Sequence, residues 1–121
     1  MKRVLYVDDE PDIREIAEMA LELDPEFEVR VCASGSEALT IAQEWSPEII
    51  LLDVMMPGID GPTTLGMLRA NPCTYAIPVV FITARVQAGE TAKLSALGAA
   101  GVLTKPFDPM KLAAGVREFL P

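Results

Sequence analysis

Asp8, Asp9, Asp53, Thr83 and Lys105 are the residues of this chain whose types and positions could do chemistry. Each stands at the end of a short apolar run or just beyond one. "VLYVDDE" carries the first two, "IILLD" the third, "PVVFIT" the threonine and "LTKPF" the lysine. Consecutive acids behind a hydrophobic run repel one another and resist desolvation. Carboxylates brought together there need a cation. The chain has no histidine, and neither cysteine lies in these stretches, so the donors are all oxygen. That donor set favours Mg2+ over zinc or copper. Mg2+ keeps waters and binds phosphoryl oxygens. A lysine beside it neutralises charge, and a threonine hydroxyl donates a hydrogen bond. A carboxylate in that company can be the nucleophile and form an acyl phosphate. Asp53 suits the role, because it ends the central apolar run and opens the loop "VMMPGIDG".

Taken singly, each residue has a plainer reading. Asp8 and Asp9 would favour the positive end of a following helix. Lys105 would be a surface lysine and Thr83 a strand residue. The chemical reading depends on the elements that bring them to one place. Five runs rich in Val, Ile and Leu, at 2–7, 28–33, 48–53, 78–83 and 100–104, read as near-continuous apolar strands, as in a parallel sheet covered on both faces. Helical spacing lies between them: Ile13, Ile16, Ala17, Ala20 and Leu21; Ala38, Ile41, Ala42 and Trp45; Leu112, Ala113, Val116 and Leu120. Ser34 and Glu37 form a capping box, and Asp108-Pro109 reads as a cap before a first-turn proline. The stretches 61–70 and 87–98 are weaker, since Gly66 and Gly89 lower helix propensity. Strand and helix in alternation predict a doubly wound α/β sandwich of five parallel strands joined by right-handed crossovers. Ligands then sit outside the carboxyl ends of the strands, where these residues fall.

The 121 residues suit one domain with a real core. Ten Lys plus Arg against eighteen Asp plus Glu give a formal charge of −8, which speaks against direct nucleic-acid binding and against an anionic membrane surface. No stretch has the length of a signal peptide core or a membrane span, so a cytoplasmic protein is expected. Cys32 lies in a strand-like run and Cys73 in a polar turn, which reads as two free thiols. The absence of histidine removes the serine triad and most zinc sites.

The pattern "VLYVDDE", "IILLDVMMPGIDG", "PVVFITA" and "LTKPF" resembles the receiver domain of bacterial response regulators in two-component signalling, over essentially the whole chain, 1–121. The resemblance is to receivers of the single-domain, chemotaxis-regulator-like kind. The resemblance implies a flavodoxin-like (βα)5 sheet of strand order 2-1-3-4-5. It implies Asp53 as phosphoacceptor, Mg2+ bound by Asp9, Asp53 and the Met55 carbonyl, and Asp8 acting through water. Thr83 and Lys105 would hold the phosphoryl group, with the small Ala84 after the threonine and a cis bond before Pro106. The donor would be a histidine kinase or phosphotransfer protein. The output would be a changed helix 4–strand 5–helix 5 face. The domain would assist only its own phosphorylation and dephosphorylation.

One position departs from the family pattern. Receivers usually carry Tyr or Phe two residues before the threonine adjacent to the lysine, and here that residue is Val102, preceded by Gly101 where an acid is common. A stiff branched side chain cannot swing as an aromatic ring does. Switching is therefore expected in residues 84–98, with strand 5 nearly still. Two other classes of protein share the architecture. An Mg2+-dependent phosphohydrolase with an aspartate nucleophile needs a second acid two residues on, where this chain has Met55. A nucleotide or flavin binder needs a phosphate-cradling loop after strand 1, where "DDEP" would repel it. The chain stops soon after the last helical pattern, which fits both a stand-alone receiver and one cut from a longer protein.

Overall fold

Five strands alternate with five helices in the computed structural model, which describes residues 1–84 and 88–120, with only the backbone of Ala88. The strands are β1 (Lys2–Val7), β2 (Phe27–Cys32), β3 (Ile49–Asp53), β4 (Val79–Thr83) and β5 (Gly101–Thr104). The helices are α1 (Pro11–Leu21), α2 (Gly35–Trp45), α3 (Gly61–Ala70), α4 (Ala88–Ala96) and α5 (Leu112–Arg117). All strand pairs are parallel, in the order β2-β1-β3-β4-β5. This is the expected flavodoxin-like order. The winding reverses between β1 and β3, so a crevice opens at their carboxyl ends.

Alternation along the strands sorts the core into two layers. Val4, Tyr6, Ile49, Leu51, Val80 and Ile82 pack under α1 and α5. Leu5, Val7, Ile50, Leu52, Val79 and Phe81 pack under α2, α3 and α4. The central strands are apolar on both faces, as expected. The edge strands are not. In β2, Glu28 and Arg30 are exposed between Phe27 and Cys32, and β5 is only half-buried. An edge strand is covered less completely, so the expectation of continuous apolar burial fails there.

The Ser34 cap forms, but the return bond of the expected capping box falls one residue before the cap. The Ser34 hydroxyl accepts from Glu37 N at 3.2 Å, and the Glu37 carboxylate accepts from Ala33 N at 3.3 Å. Asp60 caps α3 by accepting from Thr63 N at 2.8 Å, which offsets the weak propensity of that stretch. The start of α5 differs from expectation. Asp108 accepts from Met110 N and, through its carbonyl, from Lys111 N, closing a separate turn. The helix begins only at Leu112, the first buried side chain of that segment. Leu120 lies beyond the helix yet still packs on the α1/α5 layer. Ile16, assigned to the apolar stripe of α1, is 43% exposed. Arg117 pairs with Asp24 and Glu26, tying α5 to the turn before β2. Among the described residues no helix is long and apolar enough to cross a membrane.

Candidate functional site

Register places the acids. Val7 of β1 pairs with Leu52 of β3, so Asp8 and Asp53 come level one residue further on. Both continue the alternation that turns Tyr6 and Leu51 toward α1 and α5. Asp8 is fully buried and Asp53 is 5% exposed. One carboxylate oxygen from each of Asp8, Asp9 and Asp53 lies within 4.8 Å of the others.

Lys105 reaches into this cluster from the end of β5. Its ammonium is 2.8 Å from Asp8 Oδ2, 3.3 Å from Glu10 Oε1 and 3.4 Å from Asp53 Oδ2. Asp8 is held by further donors. Its Oδ2 accepts from the Tyr6 hydroxyl at 3.0 Å, its Oδ1 from Glu10 N at 3.0 Å, and its carbonyl from the Arg14 guanidinium at 2.8 Å.

Burial, and then the Asp8 charge, push the Asp53 carboxyl up to about 6, against the pull of Lys105. Burial draws the Lys105 ammonium down, but the Asp8 hydrogen bond and the charges of Asp53 and Asp8 outweigh it, so its pKa is raised overall. The Tyr6 phenol is raised by burial and by Asp8, and stays a donor. Among the described residues Lys105 is the one cation paired with these carboxylates. An excess of oxygen anions over cations, with no nitrogen or sulfur donor in the cluster, fits a hard divalent ion.

The surrounding loops shape the mouth. Thr83, Ala84, Val54, Met55, Glu10, Asp53 and Lys105 line a cavity of about 120 Å³. Thr83 is buried and its carbonyl accepts from Lys105 N at 2.8 Å. Ala84 and the Met55 side chain are exposed. The Lys105–Pro106 peptide is cis. Gly61 donates to the Val54 carbonyl at 2.9 Å, and a Cβ there would stand 2.5 Å from the Asp53 carbonyl oxygen. Glycine thus lets the start of α3 close on the Asp53 backbone. Val102 is not at the site. It pairs with Phe81 and packs, half-buried, on the α2/α3/α4 layer. Residues 85–87 of the expected switching segment lie outside the described residues.

The family description that matches this chain is the response regulator receiver domain, over residues 4–117. The chain belongs to that family. It is 39% identical to "Response regulator Rre1" of Synechocystis sp. over 97% of its own length and 51% of that protein. It is 44% identical to "Response regulator PleD" of Caulobacter vibrioides over 96% of its length and 25% of that protein. The receiver thus spans about half of one relative and a quarter of the other. Its fold matches the chemotaxis response regulator CheY4 of Vibrio cholerae with a TM-score of 0.90 at 32% identity, covering 99% of each chain.

The structure of this receiver brings Asp8, Asp9, Asp53, Thr83 and Lys105 to one sheet edge. It also adds residues that the sequence reading passed over. Tyr6 and Arg14 both hold Asp8, and Glu10 shares Lys105. A signal for Tyr6 was available. It stands two residues before Asp8 on one strand, so the two side chains share a face. Nothing comparable marked Arg14, whose contact is to a backbone carbonyl.

Proposed function

We propose that residues 1–121 form one receiver unit in which Asp53 takes a phosphoryl group from the phosphohistidine of a kinase or phosphotransfer protein. A carboxylate oxygen of Asp53 forms the new bond to phosphorus as the phosphorus–nitrogen bond of the donor breaks. The observation that carries this reading is the position of Asp53. It ends β3 beside Asp8, Asp9 and Lys105, at the edge of a cavity that also takes in Thr83.

Asp9 and Asp53, with the Met55 carbonyl and with Asp8 through water, would hold Mg2+. When bound, that ion offsets negative charge on the phosphoryl oxygens. Lys105 and the Thr83 hydroxyl bind the phosphoryl group. The α4–β5–α5 face then changes its affinity for a downstream protein. The role is regulatory rather than catalytic toward other molecules. The hydrolase reading has no second acid to support it, since Met55 cannot transfer a proton. The negative charge fits a cytoplasmic protein partner rather than nucleic acid.

Treatment with a small acyl-phosphate donor in Mg2+, followed by mass-spectrometric mapping, tests the assignment. Label on Asp53 alone is expected. Undiminished labelling of Asp53→Asn would rule it out.

A further inference from the structure

Two donors share one oxygen of a fully buried carboxylate, and they differ in freedom. Asp8 Oδ2 accepts from Lys105 at 2.8 Å and from the Tyr6 hydroxyl at 3.0 Å. Lys105 has a long flexible stem, and its side chain is 12% exposed. Tyr6 is fixed. It is fully buried, it lies within β1 between Val31 of β2 and Leu51 of β3, and its ring meets Phe107 edge-on at 6.4 Å.

The Lys105 ammonium stands 2.8 Å from Asp8 and 3.4 Å from Asp53, so closing on a phosphoryl group carried by Asp53 would draw it away from Asp8. When it leaves, Asp8 retains Glu10 N and the Tyr6 hydroxyl as protein donors to its carboxylate. We propose that Tyr6 is a positioning residue for phosphoryl transfer, whose hydroxyl holds the Asp8 carboxylate in place while Lys105 moves to the phosphoryl group. The inference rests on the reading of Lys105 as a phosphoryl ligand given above. A buried acceptor suffers most when its last strong donors are lost. The Tyr6 contact is therefore worth more after Lys105 has moved than before. Only an interaction that strengthens along the reaction favours the product state.

Tyr6→Phe removes the hydroxyl and keeps the ring. Calorimetry should show Mg2+ affinity within about twofold of the parent, because Lys105 still serves Asp8 in that state. Beryllium fluoride, as a phosphoryl mimic in saturating Mg2+, should bind about tenfold more weakly, as should the maximal rate with a small acyl phosphate fall about tenfold. In a Lys105→Ala background the hydroxyl is equally needed in both states, so the Tyr6→Phe effect on beryllium fluoride should shrink to under about twofold. Phe107→Leu, which loosens the ring and spares the hydroxyl, should give a smaller loss of the same kind. Amide NMR of the Mg2+-free proteins reports whether each variant keeps the fold.

Equal losses for Mg2+ and for beryllium fluoride, or an undiminished effect in the Lys105→Ala background, would overturn the proposal and leave Tyr6 a structural residue. If Lys105→Ala alone binds beryllium fluoride normally, the parent reading fails. If Lys105→Ala is impaired and Tyr6→Phe is not, only the role of Tyr6 fails.

Discussion

Lys105 is paired with Asp8 in this receiver: its ammonium lies 2.8 Å from a carboxylate that solvent does not reach. The lysine proposed above as a phosphoryl ligand thus rests on a neighbouring acid.

Removing that lysine separates its two roles. Lys105→Ala leaves Asp8 and Asp53 without their cation, which in a site at the rim of the core should cost about 2 kcal/mol in urea unfolding at neutral pH without divalent ions. Saturating Mg2+ should restore most of the loss, since it supplies positive charge to the same carboxylates. Mg2+ affinity itself should be unchanged or higher. A variant that loses Mg2+ binding and still responds normally to beryllium fluoride would contradict the assignment of Lys105 to the phosphoryl group.

The raised Asp53 carboxyl makes stability depend on pH. With a folded value of about 6 and an unfolded value near the ordinary carboxyl range, the native state binds the extra proton between roughly pH 4 and pH 6. Stability therefore falls as pH rises through that window and levels off above it. Asp53→Asn removes this dependence. It should stabilise the Mg2+-free protein by about 1–2 kcal/mol at pH 7.5, after allowing for solvent at the mouth of the site, and by nothing at pH 4. Urea titrations of both proteins across that range check it. A constant difference at every pH would show that Asp53 is not the titrating group.

Gly61 tests how closely the loop must pack on the acceptor. A Cβ at this position meets the Asp53 carbonyl oxygen at 2.5 Å and Val54 Cα at 2.9 Å, and backbone atoms cannot turn aside. Gly61→Ala should cost about 2 kcal/mol and slow labelling by acyl phosphate. Gly66→Ala is the control. Nothing lies within 4 Å of a Cβ there, so it should gain up to about 1 kcal/mol from helix propensity alone. Equal effects at the two positions would remove the argument from close approach.

Val102 bears on how the signal travels. Its side chain packs half-buried beside Phe81, with no ring to rotate. Beryllium fluoride in Mg2+ should shift amide signals in α4 strongly and those of Gly101–Thr104 little. Val102→Tyr should add shifts in β5 without being required for those in α4. An α4 that responds only once the tyrosine is installed would show that the aromatic switch is indispensable.

Local pattern determined much of this receiver. Apolar runs interrupted by helical spacing are enough to specify a doubly wound sheet, because the central runs must be buried on both faces and parallel strands need crossovers. The same runs end in Asp8, Asp53, Thr83 and Lys105, so the rule that ligands sit at strand carboxyl ends makes the cluster legible in the sequence. Tertiary structure alone decided who touches whom inside it. That Lys105 rests nearest Asp8, on the oxygen that also takes the Tyr6 hydroxyl, and that Arg14 of α1 donates to the Asp8 carbonyl depend on distances between residues of separate elements. The burial of β2 and the start of α5 also waited on the fold. Glu28 and Arg30 are exposed because β2 lies at the sheet edge, and α5 begins where Leu112 first meets the core rather than where Asp108-Pro109 could cap it. Periodicity reports what a segment can do by itself. Pairing, solvent access and the choice among competing donors are settled only when distant segments occupy the same space.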